Sequence, residues 1–348
     1  MSVYDASSLE LALREGVPVT TLDTQLANAA TAEGTDLVGE HKVRRPRHRW
    51  YMMAQQAVMA NHKFDSTPVR ALLLAACAIL APYSAIAQTS PAKPPGSLRL
   101  YVFDGGSLNI PDTTPYQLKK EDLASSVMSA PCFLVAHPRG TLMWDACVVP
   151  DGSFKPGSPG TLRYATATRT LSSQLAEIGY TPKDISYLAL SHFHWDHVGN
   201  ANLFAGATWL VPPAEREIMF SEPPSPRTEP ANFRALKNSK TILLTKADYD
   251  VFGDQTVVIK SAPGHSPGHQ VLFLKLAKTG PVVLSGDLYH YPEERRLNKV
   301  PTTEFNAEQT AASRAAVEDF LKKTGAQLWI QHDFTGNAKL RKAPAFYE

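Results

Sequence analysis

Ser191-His192-Phe193-His194-Trp195-Asp196-His197-Val198-Gly199 is the stretch that decides how this chain is read. It follows Ile185-Ser186-Tyr187-Leu188-Ala189-Leu190, an apolar run with the length of a buried strand. Four potential metal ligands, His192, His194, Asp196 and His197, fall within six residues. A solvated surface loop has no need of three histidines directly after a buried strand, with Phe193 and Trp195 set between them. In so short a loop His192 and His194 alternate and can face one ion, while Asp196 and His197 can turn toward a second. Imidazole nitrogen and carboxylate oxygen suit Zn2+ and its divalent neighbours Mn2+, Fe2+ and Co2+.

His-x-His-x-Asp-His after a strand resembles the signature of the metallo-β-lactamase-fold hydrolases, and later segments extend the likeness in order. Ala262-Pro263-Gly264-His265-Ser266-Pro267-Gly268-His269 is similar to the family's Pro-Gly-His-x-x-Gly-His loop, read here with the last histidine as ligand. Ser285-Gly286-Asp287 follows the apolar run Val282-Val283-Leu284 and matches the bridging aspartate. Gln331-His332-Asp333 follows Leu328-Trp329-Ile330 and matches the final histidine. The likeness runs from about residue 98 to about residue 335, and its strength lies in the set of pieces together.

The resemblance implies an αββα sandwich and two divalent ions. His192, His194 and His269 would hold one ion, and Asp196, His197 and His332 the other, with Asp287 bridging. His265 is left out of the ligand set and given to loop packing or to hydrogen bonding behind the ligands. Asp145 matches an aspartate that supports the metal loop from the end of an early strand, with a surface carboxylate as the alternative. A hydroxide held between two ions attacks a carbonyl without any Ser or Cys nucleophile. The well-known acyl-homoserine lactonases of this fold carry a tyrosine three positions after the bridging aspartate. Here Leu288-Tyr289-His290-Tyr291 puts His290 at that place. Asp196, Asp287, His290 and Tyr289 are therefore the expected catalytic residues, with Tyr291 as a further hydroxyl in reach.

The remainder of the chain sorts into segments. Residues 1–38 resemble the C-terminal end of a PIN-domain ribonuclease, with Asp5 and Asp23 at two of its acidic positions and the other carboxylates missing. Residues 1–58, which include the basic run 42–49, read as this fragment and a solvated linker outside the functional protein. Met59 opens a second beginning: Lys63 and Arg70 precede Ala71-Leu72-Leu73-Leu74-Ala75-Ala76-Cys77-Ala78-Ile79-Leu80, and Ala85-Ile86-Ala87 offers small residues for cleavage. Residues 59–87 are thus a Sec-type signal peptide in charge, apolar length and cleavage chemistry, too short for a comfortable membrane span. Cleavage after Ala87 is favoured over lipid anchoring at Cys77, and sends the protein to the periplasm or outside the cell. Residues 88–97 are a Pro-rich linker, and 98–348 the catalytic domain.

With 43% hydrophobic residues in 348, the chain can bury a substantial core. A formal charge of +2 without a long single-sign block gives no electrostatic case for nucleic acid. Residues 131–136 and 141–145 read as two strands around a turn, which sets Cys132 opposite Asp145 and leaves Cys147 displaced by two positions. A disulfide is compatible with that register, and two packed thiols are the expected state. Residues 104–130 read as a long connection whose Leu108, Ile110, Leu118 and Met128 could line an apolar trough or simply cover the sheet edge. The Pro-rich stretch 221–230 is a second candidate wall over the metals. The leading function is the opening of a lactone or ester, above all an N-acyl homoserine lactone, which would quench quorum signals. Other hydrolases of the fold (β-lactamase, aryl ester, phosphotriester or thioester) form the alternative, and a non-enzymatic metal-binding protein a third class. A homodimer is compatible with all three.

Overall fold

Alternate residues of the strand Arg99–Phe103 face two different cores, and the whole architecture follows from that alternation. Leu100 and Val102 join one apolar cluster, Tyr101 and Phe103 another. The same period of two runs through Cys132–His137, where Phe133 and Val135 face the first cluster and Cys132, Leu134 and Ala136 the second. The structure is a computed structural model that describes residues 94–348. The fragment at 1–58, the signal segment 59–87 and residues 88–93 of the linker lie outside the described residues.

Seven strands form one sheet, in which Gly140–Trp144, Tyr187–Ala189, Thr208–Val211 and Thr241–Leu243 lie side by side in parallel. A five-stranded sheet is built around Val257–Ser261, Gln270–Leu276 and Gly280–Leu284. Leu142, Trp144 and Leu210 from the first sheet meet Ile259, Leu272, Leu274 and Leu284 from the second. On the outer face of the first sheet lie the helices Leu171–Glu177 and Pro213–Met219, which contribute Leu171, Leu175 and Met219. The helix Ala307–Thr324 covers the outer face of the second through Val317 and Leu321. This is the αββα sandwich. Its two sheets are buried on both faces, which is why their strands read as nearly continuous apolar runs.

Two expectations are corrected here. Residues 104–130 are not an unstructured connection: Ser107–Asn109 and Val127–Ser129 pair with each other, and with Gly160–Leu162 and Ala165–Ala167 they make a small four-stranded sheet. Its core contains Leu108, Ile110, Leu118 and Met128, packed with Val148, Val149 and Tyr291. Cys132 and Cys147 are not packed thiols but a disulfide, with Cα atoms 4.9 Å apart. The register does place Phe133 opposite Trp144. Beyond it, however, Asp145 and Cys147 both take left-handed backbone conformations, φ 56° and 54°. The chain therefore folds back instead of running on, and Cys147 returns to Cys132.

Candidate metal centre

Loops at one end of the sandwich converge on a buried cluster of histidines and aspartates. The first loop, 190–199, leaves the strand Tyr187–Ala189 and is pinned from below by Asp145. That carboxylate accepts the Ser191 backbone N–H at 2.5 Å and the Ser191 hydroxyl at 3.0 Å, and its Oδ2 lies 3.0 Å from His197 Nδ1. Gln331 donates to the same Oδ2 at 2.8 Å, tying in the loop that carries His332. Gly286, φ 48°, passes so close that a Cβ there would lie 2.7 Å from Ser191 and from His269. A glycine is needed beside Asp287.

Two donor sets share Asp287, and a third group, His265, His290 and Glu304, overlaps the first at His265. His192, His194, His265 and Asp287 offer atoms that all lie within 4.8 Å of one another, and so do Asp196, His197, His332 and Asp287. The Asp287 carboxylate divides between them. Its Oδ1 is 3.0 Å from both His197 Nε2 and His332 Nε2. Its Oδ2 is 3.3 Å from His265 Nε2 and 3.6 Å from His192 Nε2. His197 Nε2, His332 Nε2 and Asp287 Oδ1 are fully buried yet make no hydrogen bond despite these short separations. Such atoms point at a common centre and not at one another. Donors about 2.1 Å from a tetrahedral cation sit about 3.4 Å apart, close to the separations around Asp287. In the first set His194 Nδ1 lies nearer its neighbours, 2.8 Å from His192 Nε2 and 2.9 Å from His265 Nε2.

In the first donor set the electrostatics agree with a cation-binding role. At His197 in the second, by contrast, burial opposes charge but Asp287 and Asp145 outweigh it and hold the imidazole well above its ordinary range. Burial, with His197 and His194 beside it, holds His192 well below the ordinary imidazole range. Burial and His265 do the same to His194. Neutral imidazole is the form that binds metal. At Asp287 burial opposes charge, but the surrounding His332, His197 and His192 outweigh it and hold the carboxyl well below its usual value.

His269 is corrected as a ligand. Its Nδ1 donates to the Ala262 carbonyl at 2.9 Å, and its Nε2 accepts the Asp287 backbone N–H at 2.9 Å. Both nitrogens are committed to the backbone, and burial pushes its pKa down to about 4. It holds the turn of Asp287, and His265 stands in the place expected of it. Gly264, φ 136°, allows that: a Cβ there would come 2.2 Å from the Thr310 backbone nitrogen.

Tyr289 is corrected as a catalytic residue. Its hydroxyl donates to Glu318 at 3.1 Å, and its ring packs under Arg314 in the core beneath the helix Ala307–Thr324. The Tyr291 hydroxyl donates to the Ser126 carbonyl at 3.1 Å. His290 does enter the centre, with Nε2 3.3 Å from Asp287 Oδ2. Behind it Glu294 lies 3.2 Å from Nδ1, and Arg314 holds Glu294 at 2.6 Å. Burial opposes a charge on His290, but Glu294 and Asp287 outweigh it and raise its pKa to about 10.

A cavity of about 400 Å³ opens onto both donor sets. Its walls include Leu108, Ile110, Met128, Tyr116 and Trp195, with Pro226 and Arg227 from the Pro-rich stretch. Leu118 does not reach it. The sequence does not single out Tyr116, whose ring edge meets His290 at 4.9 Å between centroids. Glu215 was missed as well: it accepts from the backbone N–H of Phe193 and Gly268 at 2.9 and 2.7 Å and from the Ser266 hydroxyl, so one buried carboxylate joins the two histidine loops.

Comparison with known proteins bears on this geometry. Residues 126–332 match the family described as the metallo-beta-lactamase superfamily. N-acyl homoserine lactonase AttM of Azorhizobium caulinodans is 27% identical over 263 residues, which cover 72% of this chain and 99% of that protein. N-acyl homoserine lactonase AiiA of Bacillus thuringiensis subsp. kurstaki is 29% identical over 201 residues, 56% of this chain and 74% of its own. A solved quorum-quenching N-acyl homoserine lactone lactonase superposes with a TM-score of 0.60 at 23% identity, covering 71% of this chain and 97% of that one. AidC, a dizinc quorum-quenching lactonase, does so at 0.54 and 19%, covering 73% and 94%. At these identities the solved structures share the fold.

Proposed function

This chain belongs to the metallo-beta-lactamase superfamily, and on that premise we propose that it is a two-metal lactonase that opens N-acyl homoserine lactones. One observation carries the reading: a cavity with apolar and aromatic walls ends on the two donor sets that share Asp287. His192, His194, His265 and Asp287 would hold one ion, and Asp196, His197, His332 and Asp287 the other, with Zn2+ best suited to these ligands. When bound, such ions supply Lewis-acid polarisation of a carbonyl and a water acidic enough to attack it at neutral pH.

The chain's own residues do the rest. Asp287 ties the two sets together at a fixed separation through its two oxygens. Among these donors Asp196 is the most open, with 12% of its side chain exposed, which suits it to pass a proton to the leaving alkoxide. His290, steadied by Glu294, presents Nε2 to the cavity where the lactone oxygen would lie. Leu108, Ile110 and Met128 offer apolar contact to an acyl chain, and Trp195 offers a flat wall.

A panel of N-acyl homoserine lactones, a chromogenic cephalosporin and a phosphotriester, given to metal-replete protein, tests the reading. Lactones should be opened far faster than the others, and KM should fall with chain length by at most about 0.8 kcal/mol per buried methylene. His290→Phe should lower kcat about 100-fold or more with little change in KM, as loss of an oxyanion donor does. Rapid cephalosporin cleavage without lactone opening would contradict the assignment.

Export is proposed on the same terms. The Cys132–Cys147 disulfide supports it, since such bonds persist in oxidising compartments, and residues 71–87 carry the signal features. Protein recovered from the periplasm should begin near Gln88 and contain no free thiol. Its reduction should lower unfolding free energy by about 3 kcal/mol, the value for a closed loop of this length. Active protein with an intact Met1, or two titratable thiols, would overturn this.

A further inference from the structure

Most histidines of the metal centre turn one nitrogen inward and leave the other to a partner behind. Behind His192 Nδ1 stands the Ser191 hydroxyl at 3.1 Å, and behind His332 Nδ1 the Ser129 carbonyl at 2.7 Å. Two histidines of the donor sets, like His290 beside them, are backed by carboxylates instead. His197 Nδ1 meets Asp145 Oδ2 at 3.0 Å, and His265 Nδ1 meets Glu304 Oε1 at 3.0 Å. The donor sets thus receive one carboxylate each from behind. Asp145 was legible from the family pattern, but Glu304 was not.

Glu304 is built into its place. Its side chain is 1% exposed, and its other oxygen accepts from the Thr310 hydroxyl at 2.6 Å. The residues that follow it clamp the His265 loop: the Phe305 N–H donates to the His265 carbonyl at 3.3 Å, and the Asn306 N–H to the Gly264 carbonyl at 2.8 Å. Among the described residues no Lys or Arg pairs with this carboxylate. A carboxylate so buried needs a partner that compensates it, and the imidazole of His265 is the one in contact. An imidazole that donates Nδ1–H to a carboxylate is fixed in the tautomer with its Nε2 lone pair turned inward, and it becomes a more basic ligand.

We propose that Glu304 is the positioning residue for the cation of the His192–His194–His265–Asp287 set, and that it sets the affinity of this site independently of the other. The proposal rests on the two-cation reading above but not on the identity of the substrate. Zn2+ is titrated into chelator-treated full-length protein against a chromophoric competitor, and two binding constants are read. Glu304→Ala removes charge and hydrogen bond. Glu304→Gln keeps the shape and an acceptor for Nδ1–H, and so isolates the charge. Glu304→Ala should weaken one constant by about 10- to 100-fold, Glu304→Gln the same constant by less, and the second constant should stay at its original value. Asp145→Asn should weaken the other constant, and the double variant should show both losses. Circular dichroism of the metal-free variants should match the unaltered protein. Two unchanged constants in folded Glu304→Ala, or equal weakening of both, would overturn the assignment to one site alone. An unaltered protein that takes up no Zn2+ would overturn the two-cation reading and this proposal with it.

Discussion

Asp287→Asn should leave a folded protein that no longer holds two ions and has lost about 1,000-fold or more of its activity. The substitution keeps the shape of the side chain but removes the one negative charge shared by both donor sets, whose oxygens lie 3.0 Å from His197 and His332 and 3.3 Å from His265. Without it, two like-charged cations would sit in a buried site with only Asp196 among the donors to offset them. Lewis-acid stabilisation is worth several kcal/mol and each 1.4 kcal/mol is tenfold in rate, which gives a loss of about three orders of magnitude. Elemental analysis after dialysis, beside a kinetic assay, checks both halves. Two retained equivalents and near-normal turnover would remove Asp287 from the bridging role.

The second large effect separates two histidines that share a loop. His265→Ala should remove one donor and with it at least one bound ion and most of the activity. His269→Ala should keep both ions and lose stability instead. Its two backbone hydrogen bonds, to the Ala262 carbonyl and from the Asp287 N–H, are each worth about 1 kcal/mol, and the vacated space adds to the cost. Metal content and a denaturant melt on both variants decide the matter. Loss of metal in His269→Ala with full retention in His265→Ala would restore the assignment made from the sequence motif alone.

That reversal shows where the sequence stopped being informative. The loop 262–269 contains two histidines four residues apart, and nothing in their spacing says which one turns inward. The choice is made by Gly264, whose backbone is open only to a residue without Cβ, and by the strand Gln270–Leu276, which starts directly after His269 and keeps it near the backbone. The loop 191–197 was legible because its candidate ligands follow a buried strand and leave little choice of direction. The same holds for Asp287 and His332, each just beyond an apolar run. Strands of the two large sheets could be read from apolar runs, as at 185–190, 282–284 and 328–330. The small sheet could not, because strands of three residues carry too little pattern and Ser107–Asn109 finds its partners at 127–129 and 165–166. Glu304 lies 39 residues from His265 in an irregular segment, so only the folded chain reveals the pair. The disulfide was obscured by two positive φ angles, at Asp145 and Cys147, which no residue type there announces.

The most direct measurement is a titration of Zn2+ into chelator-treated protein while the opening of an N-acyl homoserine lactone is followed by its acid product. Activity should be absent at the start, rise with added metal and stop rising at two equivalents per chain. Lactone opening in the metal-free protein, or none after two equivalents have bound, would contradict the account.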